Sequence, residues 1–169
     1  LQHEQVSCAR LHLANSNRPN AQLDQIVSLA QAADAKILYH DRQALARISR
    51  NGRQDQGVAA DIRWPGYQSL EQYLAGQRSS GTGPLIALDR IHNPQNLGLL
   101  IRAATAGGAE GLLLPRKGGC EISPLVIKAS AGTVFLASLL RCGDLGAGLK
   151  ACRESGYEIC VLDGRAKQS

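Results

Sequence analysis

An apolar run that breaks into a polar turn and restarts as a helical pattern restricts the fold more than any other part of this sequence. Pro84-Leu85-Ile86-Ala87-Leu88 reads as a buried strand, Asp89-Arg90-Ile91-His92-Asn93 as a turn, and residues 95–106 as a helix ended by Gly107-Gly108. Pro94 fixes φ and biases Asn93 away from helix, so Asn96 is the expected cap. Gly98 lets another backbone or a ligand approach closely, and Arg102 follows four residues later on the same helical face. Unpaired N–H groups at such a helix start, with an arginine one turn deeper, suit a phosphate or a ribose.

Strands and helices alternate through the rest of the chain. Residues 8–14 and 36–40 read as strands, with a helix over 21–33 carrying Leu23, Ile26, Val27 and Ala30 at helical spacing and Asn20 as its cap. Asp41 can cap a second helix, residues 57–63 form a strand, and Ser69 to Gln72 is a capping box. Gly76-Gln77-Arg78-Ser79-Ser80-Gly81-Thr82-Gly83 has linker composition, which gives a small α/β domain over 1–76, a linker over 77–83 and a second domain over 84–169. Beyond it, strands are expected at 111–114, 134–140 and 157–162. Helices are expected at 124–131, closed by Gly132, and at 144–154. The fold class is α/β with a parallel sheet, whose ligands gather at strand carboxyl ends.

Nineteen basic against fourteen acidic residues give a net charge of +5; residues 1–76 carry +1 (8 − 7) and residues 77–169 carry +4 (11 − 7). A nucleic-acid partner fits that excess. The five cysteines, Cys8, Cys120, Cys142, Cys152 and Cys160, contain no Cys-x-x-Cys pair, so neither a disulfide framework nor a metal site is expected. No apolar run reaches the roughly 20 residues of a membrane span, and a cytoplasmic location is the expectation. The chain starts at Leu1 and contains no methionine, which gives the expectation that it is not the complete translation product.

Arg42, Arg47, Arg50 and Arg53 form the densest basic run, with no acidic residue between positions 42 and 53. It reads either as a solvated helix face or as a contact for RNA phosphates, to which guanidinium groups bind in bidentate fashion.

The motif Asp89-x-Ile91-x-Asn93-Pro94-x-Asn96-x-Gly98-x-x-x-Arg102-x-Ala104 closely resembles the first signature of the SpoU-type RNA ribose 2′-O-methyltransferases, a branch of the knotted SPOUT methyltransferases. Ala129-Ser130-Ala131-Gly132-Thr133 resembles the second signature, usually Ala-Ser-Ala-Gly-Ala, and departs from it at Thr133. Asp55-Gln56-Gly57-Val58-Ala59-Ala60 resembles the His-Gln-Gly-Ile-x-Ala stretch of relatives that carry an N-terminal substrate-binding domain, with Asp55 in place of histidine. That substitution weakens any specific role for position 55.

The resemblance implies an N-terminal RNA-binding domain with the fold of kink-turn-binding ribosomal proteins, joined to an α/β-knot methyltransferase domain cut short before the third motif. It implies S-adenosylmethionine as methyl donor, RNA as substrate (ribosomal rather than transfer RNA), and a homodimer. Arg102 matches the arginine thought to assist deprotonation of the ribose hydroxyl or to stabilise the developing alkoxide, and electrostatic stabilisation suits a guanidinium better. Asn96 would orient Arg102 or the phosphate, or act only as a cap. Ser130 would line the substrate side, or bond only to its own helix. Leu162, Asp163 and Gly164 match cofactor contacts. Two alternatives stay open: a non-catalytic RNA-binding protein, and an unrelated nucleotide-binding α/β protein, the latter lacking any Gly-x-Gly-x-x-Gly or phosphate-loop lysine.

Overall fold

Leu11 and Leu13, alternate residues of β1 (Ser7–Ala14), are almost wholly buried and anchor the core of the first unit. The computed structural model describes residues 6–50, 52, 55–76 and 83–162, and the chain divides into two compact units, Leu1–Pro65 and Gly66–Ser169. In the first, Leu23, Ile26 and Val27 of α1 (Ala21–Ala32) pack on Leu11, Leu13 and Ala30, as the helical spacing requires. The Asn20 side chain accepts the Leu23 N–H at 2.9 Å, which is the expected cap. β2 (Lys36–His40) runs parallel to β1 and β3 (Val58–Arg63) antiparallel to it, in the order β2-β1-β3. Asp41 caps α2 (Arg42–Ser49) by accepting the Ala44 N–H at 2.7 Å, and the helix buries Leu45.

A polar row crosses this sheet. His12, only 5 % exposed, places Nδ1 2.9 Å from Nε2 of His40 and Nε2 3.4 Å from the Asp61 carboxylate, which Arg10 also reaches at 2.8 Å. The pairing satisfies a histidine that burial would otherwise penalise.

The second unit is built on four parallel strands, β4 (Gln68–Ser69), β5 (Leu85–Ala87), β6 (Gly111–Pro115) and β7 (Leu139–Cys142), ordered β4-β7-β6-β5. β6 is buried along its whole length, which is why its sequence is a continuous apolar run and not an alternation. Around the sheet lie α3 (Leu70–Gly76), α4 (Pro94–Ala106), α5 (Pro124–Ala129) and α6 (Leu145–Glu154). None of the described helices is long and apolar enough to cross a membrane.

Three expectations need correcting. The boundary falls between Pro65 and Gly66, not after residue 76, because Leu70 of α3 is 1 % exposed and joins Leu113, Leu140, Cys142 and Cys152 in the second core. The expected linker over 77–83 lies, apart from Gly83, outside the described residues. Residues 134–140 are not one strand: a 3₁₀ turn, Thr133–Phe135, comes first, with Phe135 N–H donating to the Gly132 carbonyl, and pairing begins only at Leu139. Residues 157–162 make no ladder among the described residues, although Tyr157 and Ile159 still turn towards the second core.

Candidate active site

Asn93, not Asn96, caps α4. Pro94 occupies the first helical position, where its missing N–H costs nothing, and the Asn93 side chain accepts the N–H groups of Gln95 at 2.8 Å and Asn96 at 3.3 Å. Asn96 is thereby released from capping, and its side chain is exposed in the first turn. It does not meet Arg102: six residues along a helix leave the two about a third of a turn and 9 Å apart.

Arg102 is exposed and makes no hydrogen bond or ion pair among the described residues. The acidic residues of the loops before α4 and α5 are engaged elsewhere. Asp89 pairs with Arg90 at 2.9 Å, and Glu121 with Arg141 at 2.5 Å. The guanidinium is therefore available to an anion.

The helix behind it is fixed by the second motif. A β-carbon built on Gly98 would stand 2.5 Å from Cβ of Ala129, 2.8 Å from the Val126 carbonyl and 2.9 Å from the Ser130 nitrogen. Glycine is thus required for α4 and α5 to touch backbone to backbone, with Leu97, Ile101, Val126 and Val134 sealed around the contact. The approach expected at Gly98 is made by another segment of the chain.

Ser130 is wholly buried at that joint, and its hydroxyl donates to the Ile127 carbonyl at 2.9 Å. It does not face solvent, so its bond to its own helix is the arrangement found. Thr133 has a use for its extra hydroxyl, which donates to the Ser130 carbonyl at 2.7 Å and closes the end of α5. Ala131 (φ 51°) and Gly132 (φ 81°) both sit in the left-handed region, and the Gly132 N–H returns to the Ile127 carbonyl.

The loops that leave β5 and β6 meet at the carboxyl end of the sheet. Cys120 N–H donates to the Ile91 carbonyl at 2.8 Å. A second set of residues, missed in the sequence, holds the β6 loop in place. Arg141 stacks 3.5 Å above the Tyr67 ring and reaches the Pro115 carbonyl at 3.1 Å as well as Glu121. The Tyr67 hydroxyl donates to Glu121 at 3.2 Å and accepts the Ile122 N–H at 3.3 Å. Burial pushes the Tyr67 phenol up to about 12; Glu121 adds to the rise, while Arg141 and the Ile122 N–H oppose it. A charge inside the apolar run Leu136 to Cys142 is the one sequence signal that pointed to Arg141.

Of the basic run, Arg47 and Arg50 are exposed and unpaired among the described residues, while Arg42 reaches Asp55 at 3.4 Å. Arg53 lies outside the described residues. Asp55 proves to have a specific place: its side chain is 2 % exposed and accepts from the Ser49 hydroxyl at 2.8 Å and the Gly57 N–H at 3.0 Å. Burial alone would raise its pKa, but those two hydrogen bonds and Arg42 outweigh it and hold the carboxyl below its usual value. Leu162 is fully exposed, and Asp163 and Gly164 lie outside the described residues. No cluster of three potential metal ligands occurs among the described residues.

A four-stranded parallel sheet with its strand-end loops joined, an exposed arginine on the helix that follows β5 and a separate small α/β module define a two-unit α/β protein. Residues 83–169 match the model of the SpoU rRNA Methylase family, and residues 1–68 match the module described as RNA 2′-O ribose methyltransferase substrate binding. The chain belongs to the SpoU rRNA methylase family. It is 29 % identical over 159 residues to an uncharacterized tRNA/rRNA methyltransferase of Mycolicibacterium vanbaalenii, covering 94 % of this chain and 50 % of that protein. An uncharacterized tRNA/rRNA methyltransferase of Synechocystis is 33 % identical over 134 residues, covering 79 % and 35 % respectively. The chain thus spans about half the length of the first of these relatives and less of the second. Among solved structures, the SpoU methyltransferase AviRb from Streptomyces viridochromogenes, in complex with the cofactor AdoMet, superposes with a TM-score of 0.67 at 19 % identity, covering 89 % of this chain and 52 % of that one.

Proposed function

We propose that this chain carries the RNA-binding module and the first two motifs of an S-adenosylmethionine-dependent RNA ribose 2′-O-methyltransferase acting on ribosomal RNA. The observation that carries this reading is Arg102: an unpaired guanidinium on a helix that the second motif holds rigid. A guanidinium keeps its proton at physiological pH, so Arg102 acts by stabilising charge that develops on the ribose oxygen, not by removing the proton. Asn96, displaced around the helix, serves the neighbouring phosphate. When bound, S-adenosylmethionine supplies the electrophilic methyl group. The exposed segment ending at Leu162 fits a role in holding it, since residues 158–162 make no backbone hydrogen bond among the described residues and their amides are available to a nucleoside. Arg47 and Arg50 bind RNA phosphate from the first unit, and RNA as substrate goes with a cytoplasmic location.

A homodimer is part of the same reading. Leu99, Leu100, Leu125 and Leu136 are 38–56 % exposed on α4, α5 and the turn that follows, an apolar surface that a second copy would cover. Transfer of labelled methyl from S-adenosylmethionine to ribosomal RNA and to transfer RNA tests the proposal. Ribose methylation of the ribosomal substrate is expected. Label in transfer RNA alone overturns the substrate assignment, and RNA binding without methyl transfer overturns the enzyme.

A further inference from the structure

The chain between β6 and α5, residues 116–123, should be loose by composition: Gly118 and Gly119 sit within it, and residues 116–119 are exposed. It is nevertheless fitted closely to the turn before α4. A β-carbon on Gly119 would stand 3.4 Å from the Ile91 carbonyl and one on Gly118 3.7 Å from Cγ of Arg90, and Cys120 donates its N–H to that same Ile91 carbonyl. The loop also carries Arg116 and Lys117, so its position decides where two cations stand at the carboxyl end of the sheet.

What holds the loop there comes from β4 and β7. Ser69 of β4 pairs with Arg141 of β7, which brings Tyr67, just ahead of β4, beneath the guanidinium. From that point Arg141 forks to the Pro115 carbonyl, where the loop begins, and to Glu121, near its end. The Tyr67 hydroxyl takes hold of Glu121 and of the Ile122 N–H. The grip therefore closes on both ends of the loop from one place. Stability is a poor account of it, because Glu121 is 64 % exposed and an ion pair so open to solvent adds little. A planar guanidinium stacked on a ring does fix direction, and direction is what a loop with two glycines lacks.

We propose that Tyr67, Glu121 and Arg141 are positioning residues for methyl transfer: they hold residues 116–122 on the turn before α4, so that turn, loop and Arg102 meet the RNA as one fixed surface. The inference rests on the proposed function and deepens it, since none of the three lies in either motif and none is asked to touch the substrate. The route from this latch to the chemistry is short. Cys120, next to Glu121, holds Ile91, and Ile122 leads into α5, whose Val126, Ala129 and Ser130 meet Gly98 on the helix that carries Arg102. A misplacement of about 1 Å in such a site costs on the order of 100-fold in rate.

Limited tryptic digestion reads the loop directly, because Arg116 and Lys117 are cleavage sites within it, while Arg153, in the last turn of α6, reports opening of the second unit as a whole. Tyr67→Phe and Arg141→Met should each raise cleavage after Arg116 or Lys117 by about 10-fold and leave cleavage after Arg153 unchanged, since proteolysis follows local opening. Tyr67→Phe keeps the ring beneath Arg141 and removes only the hydroxyl, so it tests the latch even where Arg141→Met fails to fold. In an active form of the protein, kcat should fall about 10–100-fold in both variants while KM for RNA and for S-adenosylmethionine holds. Arg141→Lys, which keeps the charge without the fork, should recover only part of that rate. Tyr67→Phe combined with Glu121→Gln should lower kcat no further than the stronger single change, as members of one latch do. A loop no more open in Tyr67→Phe than in the unaltered chain overturns the proposal, as does cleavage after Arg153 that rises equally in both variants. An open loop with kcat unchanged, or a loss confined to KM, overturns the positioning role alone and leaves the enzyme. Absence of transfer by the unaltered protein overturns the enzyme, and the positioning role with it.

Discussion

Gly98 and Ser130 lie in different motifs, yet the space a side chain would need at one is filled by the backbone of the other: a β-carbon at residue 98 would be 2.9 Å from the Ser130 nitrogen. The two motifs are thus one structural joint. Gly98→Ala should push α4 off α5 and cost about 1–3 kcal/mol, as overpacking does. Urea unfolding would register it as a lower midpoint, and an unchanged midpoint would mean that α5 can retreat freely.

Gly132 constrains by a different route. Nothing lies within 4 Å of a β-carbon built there, but its φ of 81° is one that side chains disfavour. Gly132→Ala should cost about 1–2 kcal/mol, and Gly132→Asn less, because asparagine tolerates the left-handed region. Equal losses for the two variants would show that the conformation is not what limits this position.

Arg102→Ala should leave unfolding unchanged, because the side chain has no partner among the described residues to lose. Methyl transfer by an active form of the protein should fall by about 100–1000-fold, with little change in RNA affinity. Activity within a few-fold of the original would remove Arg102 from the chemistry.

Asp55→Asn tests the hub of the first unit and has a defined pH dependence. The folded carboxyl lies below its usual value of 3.8, so its contribution is fully present above that value and is lost as pH falls through the lowered one. At neutral pH the variant should be less stable by about 1.5–3 kcal/mol, the range for hydrogen bonds to a charged group. The difference should shrink progressively below pH 3.8, as read from unfolding curves of both proteins. A gap that widens on acidification would reverse the sign of the shift.

Local features of the fold were legible before any coordinates. Asn20, Asp41 and Gly132 act within a few residues of themselves, so side-chain chemistry and spacing were enough to place them. The close approach at Gly98 was also readable, although not the identity of its neighbour. What failed depended on partners distant in sequence. Glu121 meets Arg141 twenty residues away and Tyr67 fifty-four away, and neither contact leaves a periodic signature. Asp55 looked expendable because histidine was expected there, whereas its role comes from Ser49, Gly57 and Arg42 converging on it. Ser130 carried a motif's expectation of substrate contact, and burial assigns it to the joint instead.

The pairing of Gln68 and Ser69 with Leu140 and Arg141 also sets a timetable for synthesis. The first unit closes its sheet with strands that end at Arg63, so everything it pairs has been made by then. Strand β4 comes next off the ribosome, and its partner follows 72 residues later (141 − 69). At about 5–20 residues per second, that edge waits about 4–15 s with its hydrogen bonds open, long after the first unit has had time to fold.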